Sequence, residues 1–301
     1  MRFALDRYAM VEAGSTGERG WAVRTHTLLR RLASGDRVNM RVMVLAAHPA
    51  DESLGAAGLL SRLNDPWVVC LTDGAPRDRR FVPKGFPPSP SGYAKRRRQE
   101  LRAALSVASV GIDRLLQLDI PDQEAALAIP KLVHRLTTLA RGLRPHLLVT
   151  HGYEGGHPDH DAAALAARLA VERLDRQEGA APALAEMLSY HREGDRLVAD
   201  RFLPAPTDRW TVLLRLSPRE RRLRREMLEC HASQVATMVQ LPERPWERLR
   251  PAPHYDFLRP PHEGPLQYEV LGFALSGERW RELAAAAMAC EREEAAHRTA
   301  S

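Results

Sequence analysis

RVMVLAAHPADE, residues 41–52, changes character halfway along. After Arg41 it is an unbroken apolar run, as expected of a strand covered on both faces in a parallel sheet. It then turns polar at His48, Pro49, Asp51 and Glu52. Small and apolar residues follow in GAAGLLSRL, so a helix is expected over residues 52–63, with Asp51 or Ser53 as its cap.

Outward from this unit the pattern repeats. Further strands are predicted at residues 67–71, 115–118 and 146–150, and helices at 93–107, 130–142 and 162–177. Pro130 suits the first position of its helix. Residues 73–92, rich in Pro, Gly and Arg, read as a long loop. Alternating strands and helices imply an α/β fold, a Rossmann-like, doubly wound, mostly parallel sheet. C-terminal additions follow: a hairpin in 188–203, a strand at 210–216, a helix at 218–236, a Pro-rich surface loop at 241–265, a strand at 268–274 and a helix at 277–297. Residues 1–40 show no clear periodicity and read as an N-terminal extension, leaving 41–301 as the main domain.

Composition narrows the partners. The net charge is +6, but lysine occurs only at 84, 95 and 131, so the positive charge is nearly all arginine, spread among acidic residues. Such charge reads as solvated helix faces. Without aromatic interleaving, no nucleic-acid partner is expected. No apolar stretch is long enough to span a bilayer, so no membrane anchor is expected. Cys70, Cys230 and Cys290 are widely separated and suggest no disulfide framework. That fits a reducing, cytoplasmic setting. Nothing in the sequence reports an oligomeric state.

Two loops concentrate the chemistry. His48, Pro49, Ala50 and Asp51 follow the first predicted strand; GGHPDHD at residues 155–161 follows the fourth. In an open parallel sheet, ligands bind outside the carboxyl ends of the strands, so both loops should share one edge. Singly, His48 is a loop histidine, Asp51 a helix cap and His157-Pro158-Asp159-His160 a turn. Together they offer two histidines and a carboxylate with open positions, the donor pattern of catalytic zinc. The loop after the first strand lacks the GxGxxG glycines of a dinucleotide site.

These residues resemble the LmbE-like, or PIG-L, family of zinc-dependent N-acetylglucosaminyl deacetylases. The family's AHPDDE motif corresponds to Ala47-His48-Pro49-Ala50-Asp51-Glu52, and its HPDH motif to residues 157–160. Weaker features follow in order: Thr72-Asp73-Gly74, Arg97 with Glu100, Leu118 to Asp122, and His231 with Ser233 and Gln234. The resemblance implies Zn2+ held by His48, Asp51 and His160. It implies His157 beside the scissile carbonyl, Asp159 orienting a histidine from behind, and metal-activated water hydrolysing an N-acetyl or other N-acyl group from an amino sugar or its small-molecule conjugate. Asp73, Arg97 and Tyr153 are candidate substrate contacts. At least one of the segments 73–92 and 241–265 is expected to line the cleft.

Position 50 departs from the motif. The family's general base is an aspartate there, and a methyl group takes no proton. Loss of a base costs about 10²–10⁴-fold in rate. Three explanations stand open: a substitution made to trap a bound molecule, a natural loss leaving a silent zinc-binding relative, or another carboxylate as base, with Asp73 and Asp122 the candidates.

Overall fold

A computed structural model describes residues 18–87, 89–238 and 243–299. The parallel core comprises β1 (Val42–Ala46), β2 (Trp67–Thr72), β3 (Leu115–Ile120), β4 (Leu147–Thr150) and β5 (Ala183–Met187). Two further strands, β8 (Val212–Arg215) and β9 (Trp246–Pro251), extend the sheet to seven in the order β3-β2-β1-β4-β5-β9-β8. Strands β1 to β5 pair in parallel, while β9 runs antiparallel to β5 and to β8. A small hairpin, β6 (His191–Glu193) with β7 (Arg196–Val198), stands apart. The expected α/β, mostly parallel architecture is present.

Every residue of β1 is buried. Met43 and Leu45 face one core and Val42 and Val44 the other, the alternation of a strand covered on both sides. The first core lies under α5 (Ile129–Leu143), α6 (Pro158–Glu178) and α10 (Gly277–Thr299). Over the second lie α1 (Glu18–Ala33), α2 (Asp51–Gly55), α3 (Ala57–Ser61), α4 (Pro90–Val107) and α7 (Pro218–Cys230). Helix α7 begins in a capping box: Glu220 N–H donates to Ser217 Oγ, and Ser217 N–H donates to Glu220 Oε2.

Several expectations are corrected. Within the expected N-terminal extension, Glu18–Ala33 is a helix that buries Ala22, Thr25, Leu29 and Leu32 against the sheet. Residues 1–17 lie outside the described residues. The helix expected over 52–63 breaks at Ala56. There the Gly58 and Leu59 N–H groups leave the helical pattern and donate to Glu247 of β9 at 2.6 and 2.9 Å. The segment 241–265, expected as surface loop, contains β9, and residues 239–242 lie outside the described residues. The helix expected over 218–236 ends at Cys230, and a short α8 (Val235–Met238) follows. The strand expected at 268–274 is instead α9 (Gln267–Val270), closed by Gly272 at φ 75°. Its Phe273 N–H reaches back to Tyr268 O at 3.0 Å and its Gly272 N–H to Glu269 O at 3.0 Å, a Schellman closure.

One buried ion pair bolts the antiparallel extension to the parallel core. Arg250 of β9 donates from Nε to Glu186 Oε1 of β5 at 2.5 Å, and both residues are fully buried. The guanidinium also reaches Leu203 O at 2.7 Å, and Tyr255 OH donates to Glu186 at 2.8 Å. Removing one partner of such a pair leaves an uncompensated buried charge. Arg250→Met is therefore expected to lower the unfolding free energy by about 3–5 kcal/mol in urea titration. Adding Glu186→Leu should recover much of that loss. A single variant within about 1 kcal/mol of the parent would contradict this role.

Candidate metal centre at the carboxyl edge of the sheet

Five sequence-expected residues meet where β1 and β4 end. The loop after β1 supplies His48 and Asp51; His157 and Asp159–His160 open α6 after β4. His48 Nδ1 lies 3.3 Å from Asp51 Oδ2, and His160 Nε2 lies 3.4 Å from the same oxygen. Two ligands at zinc bond lengths on a tetrahedral angle are about 3.3–3.4 Å apart. The donor atoms of His48, Asp51 and His160 all fall within 4.8 Å of one another, so the set could hold a metal ion.

Hydrogen bonds leave the two ring nitrogens facing the cluster, while Asp51 Oδ2 accepts one bond, from the His48 N–H at 2.8 Å. In the neutral ring, a proton on His48 Nε2, 3.1 Å from Asp159 Oδ2, leaves Nδ1 as the lone-pair nitrogen. Ser189 Oγ pairs with His160 Nδ1 at 3.1 Å, so His160 faces the cluster through Nε2. A second grouping, His48, Asp122, His157 and Asp159, is equally compact. It is the poorer donor set. Both Asp159 oxygens already accept, Oδ1 from Ala125 N–H at 3.0 Å and Oδ2 from Gln123 N–H at 2.7 Å as well as from His48.

His157 is the N-cap of α6, and its Nδ1 accepts the Asp159 N–H at 3.1 Å. The neutral ring must then carry its proton on Nε2, which points into the cluster. Burial, helped by the nearby His48, holds the His157 pKa well below its usual value. Burial, with His151 close by, pushes His160 down to about 3. For His48 burial acts in the same direction, but Asp122, Asp159 and Asp51 outweigh it and raise its pKa. Burial would raise the Asp51 carboxyl, yet His160 and His151 hold it well below the usual range.

Ala50 sits on the turn between two of these residues with φ 111°, a conformation rare outside glycine and least disfavoured for Asn and Asp. The turn is held from behind. Ala50 N–H donates to Glu52 Oε2 at 3.0 Å, and Glu52 Oε1 pairs with His231 Nε2 at 3.0 Å, with Glu52 and His231 fully buried. His231 thus reaches the site through the backbone of the first loop.

The expected substrate contacts fare differently. Arg97 is buried and spends its guanidinium on backbone, donating to Gly74 O at 2.7 Å and Pro49 O at 2.5 Å. It ties the loops after β1 and β2 together. Tyr153 turns away from the histidines: its OH donates to Arg259 O at 2.8 Å, and its ring stacks on Trp280 at 5.1 Å. It is a packed aromatic. Asp73 is committed to Ala75 and Asp122 N–H through Oδ1 and to Arg77 through Oδ2. Asp122, by contrast, presents Oδ1 to His48 Nε2 at 3.3 Å and His157 Nε2 at 3.8 Å. That buried oxygen takes no hydrogen bond among the described residues.

Sequence reading missed Ser189 and Tyr190, which follow β5. The Tyr190 ring lies 5.5 Å from that of His160. It also missed Phe273, whose ring meets His157 edge-on at 5.2 Å and Phe81 of the 73–92 loop at 4.7 Å. Had β5 been recognised, its carboxyl end would have pointed to residues 188–190.

Residues 43–171 are a PIG-L family domain, matching the family described as GlcNAc-PI de-N-acetylase. The fold is also that of solved deacetylases. The zinc-inhibited form of teicoplanin deacetylase Orf2 is 15% identical, covering 72% of this chain and 99% of that one, with a TM-score of 0.53. The A40926 pseudoaglycone deacetylase Dbv21 is 17% identical over 71% and 97%, with a TM-score of 0.51. Among the described residues no helix is long and apolar enough to cross a membrane.

Behind the site, Glu154 titrates abnormally. Burial, then the neighbouring Glu186, pushes its carboxyl up to about 8 despite Arg250 and the Leu203 N–H. An unfolded glutamate releases its proton near 4.3. Between about 4.3 and 8 the folded state therefore binds more protons, and this group's contribution to stability falls as pH rises. Glu154→Gln keeps an acceptor for Leu203 N–H and removes the titration. Thermal unfolding at about pH 5 and pH 8.5 should show the variant gaining stability on the parent as pH rises. Parallel pH profiles would contradict the assignment.

Proposed function

We propose that this protein is a zinc-dependent N-deacetylase acting on an N-acylated amino sugar or a small conjugate of one. The observation that carries the reading is the donor set His48 Nδ1, Asp51 Oδ2 and His160 Nε2, with separations of 3.3 and 3.4 Å, inside a PIG-L family domain. Two imidazoles and one carboxylate with open positions suit zinc over magnesium or calcium, which prefer all-oxygen shells. Bound there, zinc would polarise the amide carbonyl and lower the pKa of a water molecule towards 7.

The remaining work falls to the chain's own side chains. Asp159, held by two backbone N–H groups, fixes the ring of His48 and directs Nδ1 towards the donor set. His157, neutral and protonated on Nε2, donates to the substrate carbonyl oxygen as charge develops there. Arg97, by gripping the Pro49 and Gly74 carbonyls, is a positioning residue for the two loops.

Proton removal is the weak step. Ala50 offers no base, and Asp73 has both oxygens committed. Asp122, with an unused oxygen facing His48 and His157, is the better substitute base. The second reading, a relative that binds such a ligand without cleaving it, rests on the methyl group of Ala50.

Two tests follow. Purified protein should bind about one zinc per chain. His160→Ala should lose most of it and His157→Ala should largely keep it; equal loss in both would overturn the roles. Ala50→Asp should leave metal content unchanged and raise kcat for acetate release by about 10²-fold or more, across a panel of N-acetylated amino sugars and conjugates. A folded, zinc-loaded Ala50→Asp variant no faster than the parent would remove position 50 from the proton transfer.

A further inference from the structure

The mouth of the site is apolar on one side, and two distant parts of the chain build it. The Phe273 ring lies edge-on to His157 at 5.2 Å, and Phe81 packs edge-on to Phe273 at 4.7 Å. Both rings are half-buried, so each keeps some surface accessible. Arg80 lies over the Phe81 ring at 5.5 Å. The turn that carries Phe273 also carries Val270 and Leu271, 49% and 47% exposed.

This wall is held in place. The Schellman closure at Gly272 directs Phe273, and Gln267 N–H donates to Gly155 O at 2.9 Å, fixing α9 to the histidine loop. Glu269 grips the segment by accepting Leu266 N–H and Gly277 N–H, each at 2.8 Å. Gly155, at φ 67°, has no room for a side chain because a Cβ would meet Leu266 Cδ2 at 2.7 Å. Such an arrangement keeps Phe273 against His157 at a cost in exposed apolar surface, which a ligand can cover.

We propose that Phe273 and Phe81 form a specificity wall for an apolar group carried by the N-acylated amino sugar. This rests on the deacetylase reading above and narrows its substrate class. A substrate amide held at His157 would bring its substituents near the Phe273 ring, whose centroid lies 5.2 Å from that of His157. Polar sugar hydroxyls would desolvate against that surface without a hydrogen-bond partner, whereas an aryl or alkyl group gains by covering it. The apolar group is either an aglycone or a longer N-acyl chain.

The test is binding to the zinc-loaded parent chain by titration calorimetry. Three probes are compared: N-acetylglucosamine, its 4-nitrophenyl glycoside and N-octanoylglucosamine. At least one apolar probe should bind about tenfold or more tightly than N-acetylglucosamine, and which one does so identifies the aglycone or the acyl chain as the group. Phe273→Ala and Phe81→Ala should each lower that preference ratio several-fold. Phe273→Leu should retain more of it for the alkyl than for the aryl probe. A ratio near one in the parent, or one unchanged in both alanine variants, overturns the wall. If none of the three probes binds, the amino-sugar reading itself fails and the wall falls with it.

Discussion

Strands β1 and β4 lie side by side and point the same way, with Val42 opposite Leu147 and Val44 opposite Val149. The chain winds outward from β1 through β2 to β3, then crosses back to enter the sheet as β4 on the other flank. At such a switch point the loops leaving the two strands diverge and open a crevice. Everything at the candidate site depends on that. His48 and His160, more than a hundred residues apart in sequence, meet because two apolar strands fix where their loops begin. Parallel pairing also explains why the neighbouring strands contribute. Asp73 follows β2, Asp122 follows β3, and Ser189 and Tyr190 follow β5.

Backbone amides then orient the side chains. Asp159 carries a buried carboxylate because three N–H groups satisfy it, and this fixes the direction of His48. The same helix start orients His157, whose Nδ1 accepts the Asp159 N–H. Behind Ala50, Glu52 and His231 hold a turn whose φ of 111° few residues adopt.

Strands β1, β2 and β4 were legible because they are buried almost throughout and read as apolar runs. Among the antiparallel strands, β8 and the β6–β7 hairpin fall inside their expected segments, whereas β9, and β5 of the parallel core, were not foreseen. Strands β5 and β9 hide each other: ALAEM and WERLRP carry Glu186 and Arg250, which look like surface charges until they pair in the interior. Glu247 of β9 misleads in the same way, since its partners are the Gly58 and Leu59 amides. Helix α1 escaped notice because Thr25, on its buried face, satisfies its hydroxyl on Trp21 O. In the site, the motifs located the residues that cluster, but Tyr153 and Arg97 carried no sign that packing and backbone carbonyls would claim them. Phe273 lay beyond the family-like region and could be placed only by the turn at Gly272.

The central claim is that one cation sits between His48, Asp51 and His160. Anomalous diffraction at the zinc edge from zinc-soaked crystals tests it directly. The account predicts one strong peak about 2.0–2.2 Å from His48 Nδ1, Asp51 Oδ2 and His160 Nε2. A principal peak between Asp122 and His157, without contact to Asp51, would contradict it.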